Sequence, residues 1–213
     1  MKKFLFIVCI LCVVMSTLSA RTMKQLFTEM PDSLLPVLSR SERLDCVDYL
    51  ASGMKASVKN NFGEQTTLVK LTTDFALLDI SPVSFCEWKL LINGTDSVVC
   101  MVHTYLLPAA ESRLMFYDMN WKPRTLANVL VMPCAKDFET LPAGSSKQAM
   151  DDCLSQSGTE RIAATFSKSK TEDTLTFSLS MDDGNPDLRK SLSPYLKEKL
   201  EYVWQKGRFV PIM

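Results

Sequence analysis

The chain has 213 residues, of which 46% are hydrophobic and 23% charged, a globular composition that excludes an intrinsically disordered chain. Its 24 basic residues equal its 24 acidic ones, so no basic face is expected for nucleic acid. A single histidine excludes His-rich metal centres and leaves one imidazole for any His-dependent chemistry.

The first segment reads as a signal peptide. Met1, Lys2 and Lys3 form a positive start, Phe4 to Met15 an apolar core, and Ser16 to Ala20 a small-residue stretch before Arg21. Removing residues 1–20 leaves 193 residues, and the loss of Lys2 and Lys3 makes the exported chain slightly acidic, 22 basic residues against 24. No second run is long enough to span a bilayer once the leader is gone. Five cysteines stay: Cys46, Cys86, Cys100, Cys134 and Cys153. Their odd number and the lack of a Cys-x-x-Cys pair exclude a full disulfide framework, a zinc ribbon and a thioredoxin-type site.

Leu26, Phe27 and Met30 suit a short helix closed by Pro31, and Asp32 to Pro36 a loop packed by its leucines. Ser39-Arg40-Ser41-Glu42 has capping-box spacing, which predicts a helix over 41–52 with Leu44, Val47, Tyr49 and Leu50 on its apolar stripe and Gly53 ending it. The period then shortens to two. Strands are expected at 65–72, 75–80, 84–92, 97–107 and 112–118, joined by turns short enough to force antiparallel neighbours.

Pro133 to Ser146, with its prolines, glycine and serine pair, is a connection between subregions 21–132 and 147–213 of a single domain. Beyond it come a short helix at 147–154 and strands at 161–168 and 173–181. In the latter, Leu175, Phe177, Leu179 and Met181 alternate with Thr174, Thr176, Ser178 and Ser180, so one face is expected to be wet. Leu192 to Leu200 is a short helix or docking segment, and 201–212 closes as a hairpin around Gln205-Lys206-Gly207. The fold class is α+β, mostly β: an antiparallel meander of 8–10 strands, a curved sheet or sandwich, with one or two packed helices.

A hairpin with a three-residue loop over 92–94, sharing Cys86, Trp88, Leu90 and Ile92 on one face with Val98, Cys100 and Val102, sets Cys86 opposite Cys100, a candidate disulfide weighed against two reduced core thiols. His103 points away from Cys100 on a strand, so a Cys/His103 pair needs another cysteine. No phosphate-binding loop, dinucleotide fingerprint, nucleophile elbow or calcium-loop spacing occurs, hence no cofactor, metal or catalytic residue is assigned. Asp182-Asp183-Gly184-Asn185 reads as a turn. Trp121 and Trp204 are candidate platforms for a carbohydrate or peptide if exposed.

Met30 to Pro36, Leu71 to Leu78, and Ser112 to Asp118 followed by Trp121-Lys122-Pro123 carry a resemblance over most of the exported chain. It resembles an uncharacterised exported family of Bacteroidales known only as a domain of unknown function. The resemblance implies export from a Gram-negative cytoplasm and brings no activity, cofactor or site residue. It also implies that Asp-Ser/Thr-apolar triplets, here at Ser33, Ser97 and Thr174, are O-glycosylation candidates. The functional expectation is a non-enzymatic periplasmic or surface-facing module that binds a protein, peptide or envelope polymer, using its antiparallel edges for a partner strand. The alternative is an envelope hydrolase working through carboxylates or a Cys/His103 pair.

Overall fold

The computed structural model describes residues 21–94, 96–155, 161–166, 173–180 and 186–212. The leader at 1–20, the Asp182 to Asn185 turn and the side chain of Cys153 lie outside the described residues. Thr22 caps α1 (Met23–Glu29) through a box with Gln25, and Ser39 caps α2 (Arg40–Ala51) through a box with Glu42. Each box satisfies amide donors that a helix start leaves orphaned, as the Ser-x-x-Glu spacing predicts for α2. Gly53, at φ +70°, follows the end of α2 in the left-handed conformation a helix stop favours.

Seven strands then run in sequence order as one antiparallel meander. They are β1 (Ser57–Lys59), β2 (Gln65–Leu71), β3 (Phe75–Ser81), β4 (Ser84–Leu91), β5 (Val98–Tyr105), β6 (Glu111–Tyr117) and β7 (Pro123–Arg124). After helix α3 (Lys147–Leu154) comes a second antiparallel sheet of β8 (Arg161–Thr165), β9 (Thr174–Ser180), β10 (Leu200–Gln205) and β11 (Arg208–Pro211). Helix α4 (Pro186–Leu192) lies between β9 and β10 in the chain. The mostly β expectation is met by 11 strands among the described residues, in antiparallel sheets. The ones the pattern missed, β1 and β7, are 3 and 2 residues long, too short to show a period.

The central strands are buried on both faces. Even-numbered Cys86, Trp88 and Leu90 of β4 meet α1 and α2 in one core with Met23, Leu26, Phe27, Cys46 and Val47. Leu91 of β4 with Val98, Cys100 and Val102 of β5 meets Ala164, Leu175, Phe177, Trp204 and Phe209 of the second sheet in another. The layers are therefore helices, large sheet and small sheet. The second core joins residues from both sides of the Pro/Gly/Ser connection.

Three local expectations are corrected. The β4–β5 pairs all sum to an odd total, so Cys86 faces His103, Cys100 faces Lys89, and both cysteines are free thiols in different cores. Face sharing misassigned that register because β4 is buried on both sides: its odd-numbered face, with Glu87 and Lys89, reads as a wet face yet is the one that shares a side with Val98, Cys100 and Val102. Along α2, Leu44 and Tyr49 are exposed while Arg43, Cys46 and Val47 are buried. Arg43 can be buried because its guanidinium donates to the carbonyls of Leu38 and Met30 and pairs with Asp32 at 2.9 Å. On β9, Thr174 and Thr176 are buried as well as Leu175 and Phe177, so the N-terminal half of that strand is covered on both faces.

Candidate functional site

Burial of charge is concentrated between the two sheets. Glu87 on β4 is fully buried and accepts hydrogen bonds from the backbone N–H of Phe166 and the hydroxyl of Thr165, both at 3.0 Å. Lys89, two residues along the same face, is 2% exposed and reaches Asp74, and Asp173 at 3.2 Å. Burial acts to raise the Asp74 carboxyl, but hydrogen bonds from Lys89 and Thr72 and the ammonium charge outweigh it and hold the group below its ordinary range. Ser112 on β6 accepts from the N–H of Ala164 at 2.8 Å. Glu87 and Ser112 thus cap the outer edge of β8, supplying acceptors that a neighbouring strand would otherwise bring. These groups fasten one sheet to the other.

The opposite edge is closed differently. The N–H of Phe209 on β11 donates to the carbonyl of Val129 at 2.8 Å, and Pro211, further along that edge, has no N–H to offer. Strand addition at β11 is blocked, and β7 is too short to template a partner. What this edge does offer is a groove. The strap 126–132 runs beside β11 with Val129 and Leu130 buried in the core between the sheets. The next two residues turn out, leaving Val131 80% and Met132 37% exposed. With Tyr202, Val210 and Pro211 they line an apolar trench of about 430 Å³, with Arg208 and Asp137 also on its walls. That volume lies within the range of ligand sites.

Asn128 and Val129 also line a second, polar cavity of about 280 Å³ between the tips of the β4–β5 and β10–β11 hairpins. Asn93, Arg124, Thr125 and Lys206 contribute to its walls. Gly207 sits there at φ +82°, a conformation that L side chains rarely adopt, and a Cβ would also displace the Asn93 side-chain amide, 2.8 Å away. Arg124 is engaged by Asp96. Asp137 is held below the usual carboxylate range by hydrogen bonds from Cys134 and the charge of Lys197. Among the described residues, Lys206 and Arg208 have no ion-pair partner.

The residues singled out from sequence lie elsewhere. Trp121 and Trp204 are each 7% exposed, so neither offers a platform. Trp204 donates to the carbonyl of Ile92 at 2.9 Å and packs edge-on to Phe209, while Trp121 packs on Tyr117. Their amphipathic rings fill core at hairpin ends. Cys86 is the cysteine that shares a face with His103. Burial pushes its thiol well above the ordinary range, and burial and Arg113 push the His103 imidazole down. Both shifts favour neutral forms, opposite to what a thiolate–imidazolium pair needs. Cys46 is likewise raised, to about 11, chiefly by burial. Of the glycosylation candidates, Ser33 is exposed, Ser97 half-buried and Thr174 buried. Among the described residues no three His, Cys, Asp or Glu side chains converge on a metal-sized site, and no helix is long and apolar enough to cross a membrane.

Sequence reasoning missed Val131, Met132, Lys206 and Arg208. The available signal was the run Leu126 to Met132, apolar except for Asn128 and belonging to no strand or long helix.

A family model described as "Protein of unknown function (DUF3256)" matches residues 15–209. No curated protein matches. A solved structure, described as a domain of an uncharacterized protein from Porphyromonas gingivalis W83, is similar at 28% identity and a TM-score of 0.72. The match covers 90% of this chain and 98% of that one.

Proposed function

The chain belongs to the DUF3256 family of proteins of unknown function, and from that premise we propose that it is an exported, non-enzymatic module that binds a partner in the trench between the strap and β11. The observation that carries this reading is the outward turn of Val131 and Met132 beside β11. An apolar run whose first half anchors in the core and whose second half faces solvent costs solubility without adding to the core, and such patches mark interaction surfaces.

Export rests on the composition of residues 1–20 and on the resemblance to exported Bacteroidales proteins; the periplasm or the cell surface is the compartment proposed. N-terminal sequencing of protein from the producing cells should begin near Arg21, and a cytoplasmic species starting at Met1 would exclude export. Binding is tested by capture from the native envelope with wild-type protein and with Val131→Asp. The variant should lose the captured species while keeping its thermal midpoint, because Val131 is 80% exposed. Equal capture by both would remove the trench from the binding surface. The hydrolase alternative draws no support from Cys86 and His103, whose neutral tendencies suit packing.

A further inference from the structure

The trench and the polar cavity share Asn128 and Val129, so they form one continuous surface along the strap. Its charges are not balanced. Asp96 is taken up by Arg124, and Asp137 is satisfied by Cys134 and offset by Lys197, whose ammonium donates to the Asp137 carbonyl at 3.0 Å. Lys206 and Arg208, on the closing hairpin, are exposed and without ion-pair partners among the described residues. The free charge along the surface is therefore positive, on a chain that is neutral overall and slightly acidic once residues 1–20 are removed.

Resting on the binding reading above, we infer that the occupant is an extended acidic polypeptide segment: apolar side chains enter the trench over Val131, Met132 and Val210, and a neighbouring carboxylate meets Lys206 and Arg208. An extended chain suits this arrangement because successive side chains point to opposite sides, so that one set can enter the trench while the next reaches the cationic rim. The carboxylate contributes charge complementarity, which sets partner choice and encounter rate. An acidic polysaccharide would satisfy the cations equally. It would gain little from a trench whose exposed wall is mainly aliphatic, since Trp121 and Trp204 are both buried and Tyr202, the half-buried ring on the wall, is already packed edge-on by Phe177. Backbone pairing to β11 is not part of the recognition, because Val129 already occupies the Phe209 N–H.

Fluorescence anisotropy on the protein purified from its producing cells tests this with three labelled twelve-residue peptides: alternating Leu and Glu, alternating Leu and Lys, and alternating Ser and Glu. A polygalacturonate oligomer serves as competitor. The Leu/Glu peptide should bind about tenfold or more tightly than either of the others, and raised salt should narrow its lead over Leu/Lys. The double variant Lys206→Glu, Arg208→Glu should reverse the preference toward Leu/Lys, and Val131→Asp should abolish Leu/Glu binding. All three positions are exposed, so loss of folding does not confound the result. Equal affinity for Leu/Glu and Leu/Lys overturns the inference and leaves the binding reading standing if envelope capture still depends on Val131. Displacement by polygalacturonate of Ser/Glu as readily as of Leu/Glu overturns it in favour of an acidic polymer. Binding of none of the probes overturns it, and the binding reading falls with it only if capture is also insensitive to Val131→Asp.

Discussion

The two faces of the large sheet are closed by different means. Against α1 and α2 the contact is apolar: Trp88 meets Phe27 edge to face at 5.5 Å, with Leu78, Cys86 and Met101 around them. Arg43, fully buried, sits on the helix side and bonds to loop carbonyls. Against the small sheet, the same strands present Glu87 and Lys89, buried and aimed at the incoming layer. The difference follows from what each layer brings. A helix arrives with its backbone satisfied and needs only an apolar stripe, whereas a separate sheet arrives with edges whose amides must find acceptors. Glu87, Ser112 and the carbonyl of Val129 supply them. The strap that supplies the last of these leaves Val131 and Met132 uncovered, so the interaction surface lies on the side of the sheet that is closed by edge capping.

The largest effect should come from the helix-covered face. Trp88→Ala removes the largest fully buried side chain and is expected to cost about 3–5 kcal/mol, read as a lower denaturation midpoint with an unchanged slope. Glu87→Ala comes next. It removes the carboxylate that accepts from the buried Phe166 N–H and from the Thr165 hydroxyl, a loss of about 2–3 kcal/mol. Its signature is local: hydrogen exchange at Phe166 and Ala164 should accelerate before the amides of β3 and β4. Uniform acceleration would show that edge capping is not what separates the two faces. Glu87→Gln, which keeps one acceptor oxygen, should recover about half of the loss.

Lys89→Met probes the acid side. Because the folded Asp74 carboxyl lies below its unfolded value of about 3.9, it contributes stability above that pH and loses it as pH falls through the folded value. Wild-type stability should therefore decline on acidification below about pH 4 more steeply than that of the variant. Asp74 is 31% exposed, so the difference is expected to be about 1 kcal/mol or less. The smallest effect is that of His103→Asn. Burial lowers the folded imidazole's pKa, so folding binds fewer protons than the unfolded chain and stability falls as pH drops below about 6.5. The variant should flatten that slope by a few tenths of a kcal/mol.

Much of the fold was legible because its signals are local. Ser39 and Glu42 fix the start of α2, and the alternation in β2 to β6 with short turns dictates a meander. Register was legible only where the polar face of a strand is also the wet one. In β4 the face that carries Glu87 and Lys89 is buried against the small sheet and pairs with Val102 and Cys100, so the polar pattern pointed to Cys86 opposite Cys100 where Cys86 lies opposite His103. The pairing of layers was hidden as well, since Glu87 and Thr165 lie 78 residues apart and neither announces a partner. The candidate site was the least visible part. Trp121 and Trp204 drew notice as large aromatics and proved to be core, whereas Val131 and Met132 are ordinary residues made unusual only by where Phe209 pins the strap.

The most direct test of the account is site-specific photo-crosslinking in the producing cells, with the reactive side chain placed at Val131 and, as a control of similar exposure, at Phe62. A polypeptide adduct at Val131, absent at Phe62 and lost when Lys206 and Arg208 are changed to Glu, is the predicted result. Equal adducts at both positions, or none at Val131, would contradict a binding site along the strap.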